Sequence, residues 1–467
     1  MPPPLTQPAA YAPHVLWIGP FVAILLAIAL LPLIRGTRHW WESNRNKLLV
    51  ALVLAGVTLL YYGLRDPGLA LHKPGGATHT PAGMPTVLTV AEDAVLVEYV
   101  PFIILLFSLY VIAGGIVVRG DLRAMPAVNT AILATGSVLA SLIGTTGAAM
   151  VLIRLLLKTN SERRRTAHTV VFFIFLVANV GGSLLPIGDP PLFLGYLKGV
   201  DFLWTLRLWR PWAFLVGILL VVYYIWDGWA YRHERPEALA RDQAERQPLR
   251  VAGLVNVVWL LGVVLAVGTL DPAKAFPGTT WHAPHYLREL VQLAMAGLSL
   301  LTTPRGLRYE NQFNFTAIGE VACLFLGIFI TMQVPIEILR ARGPQLGLTE
   351  PWHFFWASGL LSSFLDNAPT YMVYFETAGT LAPPGMPLLH GVGTATGSIP
   401  APLLAAVSCG SVFMGANTYI GNGPNFMVKS IAEQAGVKMP SFFGYMAYSG
   451  ALLLPLFLLT TLLFFRG

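Results

Sequence analysis

The chain has 467 residues, of which 55% are apolar and only 11% charged, against about 25% charged in a typical soluble domain. That is too little charge to coat a soluble protein of this length, which excludes a cytosolic enzyme, a disordered chain and a nucleic-acid binder. The net charge of +7 sits largely in loops, and the two cysteines, Cys323 and Cys409, lie inside apolar stretches, so no disulfide framework is implied.

In chain order, a proline-rich tail over residues 1–14 comes first; it lacks the basic start of a cleaved signal. Crossing the hydrocarbon core takes about 20 apolar residues. Ten stretches reach or approach that length: 15–34, 48–64, 95–118, 169–200, 211–231, 251–270, 287–303, 313–339, 401–428 and 441–465. Two more, 127–157 and 352–378, are broken in the middle, at Gly144-Thr145-Thr146-Gly147 and at Asp366-Asn367-Ala368-Pro369. Each half is too short to span, which predicts re-entrant helical hairpins whose tips are covered by other helices. Phe202 to Arg210 is amphipathic and aromatic and predicts an interfacial helix. The dipeptide Gly-Lys never occurs, so no phosphate-binding loop for ATP is present.

Basic residues set the orientation. Loops carrying Arg35 to Lys47, Arg119 and Arg123, Lys158 to Arg165, Arg232 to Arg250, Arg305 and Arg308, and Lys429 and Lys438 hold 19 of the 30 basic residues. That side is predicted to be cytoplasmic, which places both termini outside. The first hairpin then enters from the cytoplasm. The second, followed by the Lys- and Arg-free loop 379–400, enters from outside. All ten histidines read as loop or span-end residues; His282-Ala-Pro-His285 is a weak metal or pH-sensing pattern beside the plainer reading of a solvated loop.

An internal repeat supports the opposite senses. At an offset of 222 residues, Glu98 matches Glu320, Ser141 matches Ser363 and Met150 matches Met372. Further on the offset becomes 233, and Ile187-Gly188-Asp189-Pro190-Pro191 aligns with Ile420-Gly421-Asn422-Gly423-Pro424. An odd number of spans per half inverts the second copy. The predicted fold is therefore an all-α polytopic membrane protein, an inverted repeat of five spans plus one re-entrant hairpin in each half, with two broken helices. Its parts are a first repeat over 15–231 (hairpin 127–157, broken helix 169–200), a cytoplasmic linker over 232–250, and a second repeat over 251–467 (hairpin 352–378, broken helix 401–428).

Each break frees carbonyls at one helix end and N–H groups at the next helix start. Carbonyl, hydroxyl and amide oxygens suit a small hard cation, and helix N-termini favour an anion. The first break is predicted to meet the second, and the third the fourth. Two carboxylates stand in this set, Asp189 and Asp366, and each also occupies a good capping position. Their repeat twins are Asn422 and Gly144, so the fold itself needs no acid at either place. A carboxylate removed from water holds its proton more tightly and can exchange it for a cation. Thr145, Thr146, Gly144, Asn367, Asn422, Asn425 and the Gly188 and Gly421 carbonyls are predicted to complete a sodium site with Asp366 and Asp189. Glu98 and Glu320, at matched helix starts, read either as headgroup-level acids or as a secondary proton relay. Arg154 and Glu376, ten residues past each tip, read as surface-seeking side chains, and Glu337 and Asp227 as span-end residues.

At these breaks the chain resembles the ion transporter superfamily, which includes NhaD-type sodium/proton antiporters, citrate and dicarboxylate transporters and arsenite carriers. Gly188-Asp189-Pro190-Pro191 and Gly423-Pro424-Asn425 resemble that superfamily's Gly-Thr-Pro-Pro-Asn motif, and Leu365-Asp366-Asn367-Ala368-Pro369 resembles the Leu-Asp-Asn-hydrophobic-Pro hairpin of the antiporters. The Ser-Asn-Thr of carboxylate-transporting members is absent from both tips. An ionised Asp366 would repel a carboxylate, which favours a cation-only site; citrate carried as a metal complex, or beside a protonated Asp366, stays compatible. The resemblance implies a homodimer with elevator-type motion in a bacterial inner membrane, exchanging sodium or lithium for protons. Its partners are lipid, small cations and protons, with no cofactor and no nucleic acid. A citrate-type symporter and a non-transporting scaffold or channel are the rival readings.

Overall fold

A computed structural model describes residues 11–466 apart from 33, 35, 74, 75, 245, 383–390, 395 and 396. The first ten residues of the tail, Arg35 and His390 lie outside the described residues. The chain is mostly helical, and among the described residues six helices are long and apolar enough to cross a membrane: Asn44–Leu64, Met84–Ala113, Pro126–Ile143, Trp204–Arg232, Thr316–Arg342 and Phe442–Phe464. Pro126–Ile143, the first half of the first expected hairpin, is thus longer than the expectation that each half is too short to span. Shorter apolar helices cover Val15–Leu30, Ala167–Ser183, Val255–Thr269 and Ala401–Asn417. Every strand described belongs to a two-stranded ladder. This is an all-α, multi-pass membrane architecture.

One compact unit comprises Met1–Val100, Gly319–Thr349 and Met372–Leu404. Here the span expected over 95–118 starts eleven residues earlier: Gly83, with φ 86°, stops the preceding chain and Pro85 opens the helix. Glu98 therefore does not stand at a helix start. It is buried inside a continuous helix, in the π-helical stretch Asp93–Tyr99, and accepts a hydrogen bond from Gln333 Nε2 at 3.2 Å. Its sequence twin Glu320 instead pairs with Lys47 Nζ at 2.7 Å, and Lys47 is a buried helix residue, not a loop cation. Glu337 pairs with Arg65 at 2.7 Å and accepts the Tyr62 hydroxyl at 3.2 Å. Glu376 does not reach a surface: it is buried and takes both Nε and Nη2 of Arg340 at 2.9 Å. Part of the uncharged loop 379–400 is an antiparallel pair, Gly391–Thr394 with Gly397–Pro400.

The other unit comprises Pro101–Ile318, Glu350–Tyr371 and Ala405–Gly467. The long helix ends at Ala113 before Gly114 and Gly115. The β-branched residues that follow pair as a strand, Val117–Asp121 with Gln247–Ala252, so 115–118 and 251–252 are not membrane-spanning helix. Phe202 to Arg210 is not a separate interfacial helix: the 3-10 turn Trp204–Leu208 leads directly into Trp209–Arg232. Asp227 is no span-end residue facing water. It is fully buried, and it binds Arg163 Nη2 at 2.7 Å, His168 Nε2 at 2.9 Å and Asn129 Nδ2 at 3.1 Å. His168 is likewise buried in the helix Ala167–Leu176. Breaking such a pair leaves an uncompensated buried charge, at a cost of about 3–5 kcal/mol.

Candidate functional site

The four breaks lie in this second unit, and two local rules shape them. A residue with positive φ is needed where the first hairpin turns, and Gly144 supplies it at φ 80°, so the helix Pro126–Ile143 stops and Thr145–Thr159 starts immediately. Proline at the first helical turn starts Pro190–Leu197 after Asp189 and Gly423–Gln434 after Asn422. The two N-cap residues share one backbone shape, φ −144° and ψ 142° at Asp189 and φ −155° and ψ 141° at Asn422. Gly188 packs so closely on the Gly182 carbonyl that a Cβ there would overlap it, and Gly421 stands in the same relation to Gly415.

The predicted meeting of the first and second breaks has a direct bond, and the residues just before the third and fourth breaks touch each other. Thr145 N–H donates to the Gly188 carbonyl at 2.9 Å, joining the first break to the second. Thr418 Oγ1 donates to the Ser363 carbonyl, and Asn417 Nδ2 to Ser363 Oγ at 2.9 Å, joining the approach to the third with the approach to the fourth. The serines matched by the 222-residue offset reach matched carbonyls: Ser141 Oγ donates to that of Gly181 at 2.5 Å, while Ser363 Oγ lies 2.8 Å from the Gly359 carbonyl of its own helix and 3.1 Å from that of Met414, and residues 181 and 414 are themselves 233 apart.

All four breaks then converge on one side chain. Asp189 is 1% exposed. Although it stands at an N-cap, its carboxylate makes no capping bond. Oδ1 accepts from Thr145 Oγ1 at 3.0 Å and from Asn422 Nδ2 at 3.3 Å; Oδ2 accepts from Asn367 Nδ2. None of these partners carries a charge. Asn367 Oδ1 is buried and has no hydrogen-bond partner among the described residues, so a bare acceptor stands beside the carboxylate. Asp366, the residue before Asn367, stands at the same break. Its own Oδ1 accepts the Ala368 N–H at 3.1 Å, and its carbonyl accepts Thr370 Oγ1 at 3.0 Å, which caps the helix that follows.

Other predicted members are placed differently. The Gly188 carbonyl is engaged by Thr145 N–H. Among the described residues, no hydrogen bond joins Thr146 to the group. Gly421 N–H donates to Thr418 Oγ1 at 3.1 Å. Asn425 staples the fourth break, giving Nδ2 to the Gly415 and Thr418 carbonyls at 2.9 Å each and accepting from Asn179 Nδ2 at 2.7 Å. Asn179 went unnoticed in the sequence, yet its Oδ1 also accepts from Asn422 Nδ2 at 3.3 Å. Glu98 and Glu320 belong to the other unit. No group of three or more His, Cys, Asp or Glu set to hold a metal occurs among the described residues, and His282 turns to the Thr280 carbonyl at 3.2 Å.

A family model described as "Putative citrate transport" matches residues 10–465. The chain belongs to this citrate-transport family. The match covers nearly the whole transporter and supports the citrate-transporter branch of the superfamily that the breaks resemble. The transporter's work is movement of a solute across a membrane, not catalysis. No curated protein matches the transporter.

Proposed function

We propose that the protein is a secondary active transporter in which Asp189 is the seat of the coupled ion, a proton in one state and a sodium or lithium ion in the other. The observation that carries this reading is a buried carboxylate with only neutral partners. An unpaired acid at the centre of a membrane helix costs about 2.5–3.5 kcal/mol or more. Asp227, Glu289 and Glu376 meet that cost with Arg163, Arg288 and Arg340. Asp189 has Thr145, Asn367 and Asn422 instead, so its charge must be balanced by something that arrives and leaves. The orphaned Asn367 Oδ1 offers that cation a further oxygen. Asp366, close by, is a second carboxylate through which sodium and protons would compete. The three donors facing Asp189 are already held by an internal anion, which leaves a free carboxylate substrate little to bind there.

This proposal takes the two half-chains as an inverted repeat, with both hairpins re-entrant and moving as an elevator in a homodimer of the bacterial inner membrane, both termini outside. The matched hydrogen bonds of Ser141 and Ser363 support the repeat. Glu98 and Glu320 are secondary relay positions within it, of which buried Glu98 is the better placed to hold a proton. A second reading is citrate symport driven by sodium or protons, and the description of the matched family favours it. Purified protein in liposomes separates the two. Sodium or lithium that discharges a preset pH gradient without citrate supports exchange. Uptake of labelled citrate that requires sodium or a proton gradient, with no cation-only response, supports symport. Silence in both assays removes the transporter reading.

A further inference from the structure

The second unit holds a cavity of about 810 Å³ at the far ends of the two helices Thr145–Thr159 and Gly423–Gln434, whose first residues frame the Asp189 site. Four basic side chains line it: Arg154, Lys158, Arg164 and Lys438. No Asp or Glu is among its lining residues, and the one other lining arginine, Arg163, is spent on Asp227. Arg154 is oriented without being neutralised: its two terminal nitrogens reach Asn311 Oδ1 at 3.0 Å and Gln312 Oε1 at 2.9 Å, both uncharged. Gln312 holds that position from the left-handed backbone region, φ 48°, which a non-glycine residue adopts only when its surroundings impose it. No carboxylate pairs with Arg154, Arg164 or Lys438 among the described residues. Lys158 serves the carbonyl end of its own helix and gives Nζ to Gln247 Oε1 at 3.1 Å, so the excess charge rests on the other three.

We propose that this cavity binds the phosphate of an anionic phospholipid. Basic pockets between membrane helices on the cytoplasmic side are suited to such headgroups, and the lining joins the ends of the helices Thr145–Thr159 and Gly423–Gln434 to the basic segments that follow them, which hold Arg164 and Lys438. Leu157, Ile431 and Val437 add an aliphatic wall, which a solvated free anion does not need and the glycerol and first acyl carbons do. The volume is within the range of about 300–1,000 Å³ usual for small-ligand sites and far above what a bare phosphate fills. The site is separate from Asp189 and does not depend on which ion or anion is carried.

The test is thermal unfolding of the purified full chain in detergent, with added phosphatidylglycerol, phosphatidylcholine, inorganic phosphate or citrate. Phosphatidylglycerol is expected to raise the midpoint by several degrees where the other three do not. The double variant Arg164→Gln/Lys438→Gln, both exposed residues, is expected to lose more than half of that rise. The charge-matched control Arg235→Gln/Arg241→Gln is expected to keep it. An equal rise with phosphatidylcholine, or a rise that survives the first double variant, overturns the proposal. So does an equal loss in the control, because bulk charge would then explain it. A rise with phosphate or citrate that the first double variant abolishes replaces the lipid with a free anion and overturns it as well.

Discussion

Asp189 and Asp227 are both buried aspartates of the same unit, and they are treated in opposite ways. Around Asp227 stand an arginine, a histidine and an asparagine, and its charge is settled within the protein. Around Asp189 stand a threonine and two asparagines, which orient the carboxylate but leave its charge unanswered. The first arrangement ties the helices Pro126–Ile143, Ala167–Leu176 and Trp209–Arg232 together. On the proposed reading, the second stores a need that only a mobile ion can meet. The difference would then separate a structural acid from a transporting one without reference to motif.

The strongest way to break that contrast is Asp189→Asn. It removes the charge while keeping the shape, and coupled pH discharge in liposomes should fall to the empty-vesicle background; exchange that persists would show that the carboxylate is not the seat. Asp227→Asn should do the reverse. The melting midpoint in detergent should drop, by up to about 3–5 kcal/mol of stability, because buried Arg163 loses its closest acid and keeps only Glu234 at 3.9 Å; a midpoint unmoved would mean the network contributes nothing. Asn367→Ala removes one donor to a charged acceptor, worth about 1.5–3 kcal/mol. The half-saturating sodium concentration should therefore rise roughly tenfold to a hundredfold while the midpoint stays near wild type. Asp366→Asn sharpens the comparison further. Asparagine caps a helix as well as aspartate does, so the proposed role of Asp366 as a second carboxylate for the ion predicts a loss of coupled pH discharge with the fold intact; transport within roughly threefold of wild type would reduce Asp366 to a cap.

The smallest effect belongs to the exposed pair Arg119 and Glu310, joined at 2.6 Å. The Arg119 guanidinium holds the Glu310 carboxyl below its ordinary range. A carboxyl with a depressed folded-state value stabilises the fold above its unfolded value and loses that contribution as pH falls through the folded one. Arg119→Ala should thus narrow the midpoint difference between neutral and acid pH only slightly, and leave transport at pH 7 unchanged.

Much of the site was legible because its punctuation is chemical. Gly144, with its positive φ, and the prolines that follow Asp189 and Asn422 restart helices at those places, so the breaks and the meeting of the first with the second could be read from residue types and offsets. The gathering of Asn367 and Asn422 with Asp189 was an expectation from residue chemistry alone, but which carboxylate would take the amide donors was not readable, because Asp189 and Asp366 have the same chemistry in sequence. The acids near span ends were the main blind spot. A charge close to a helix end looks the same in sequence whether it reaches water or an arginine. A signal was present at Asp227, which continues the buried stripe Leu215, Leu219 and Tyr223 at helical spacing. Glu98 was obscured for a different reason: its helix begins at Met84, before the run of apolar residues does.

The π-helical turns around Glu98 carry a consequence for how the chain tolerates change in length. Such turns arise where a helix has absorbed an extra residue, so Asp93–Tyr99 is where one can be taken out again without ending the helix. Deleting a single residue there would restore ordinary winding and keep the two ends in their present register, whereas the same deletion in an ordinary stretch would rotate one end by about 100° against the other. The helix and the aim of its two ends would survive, and only the local turn that brings Glu98 to the Gln333 amide would be reset.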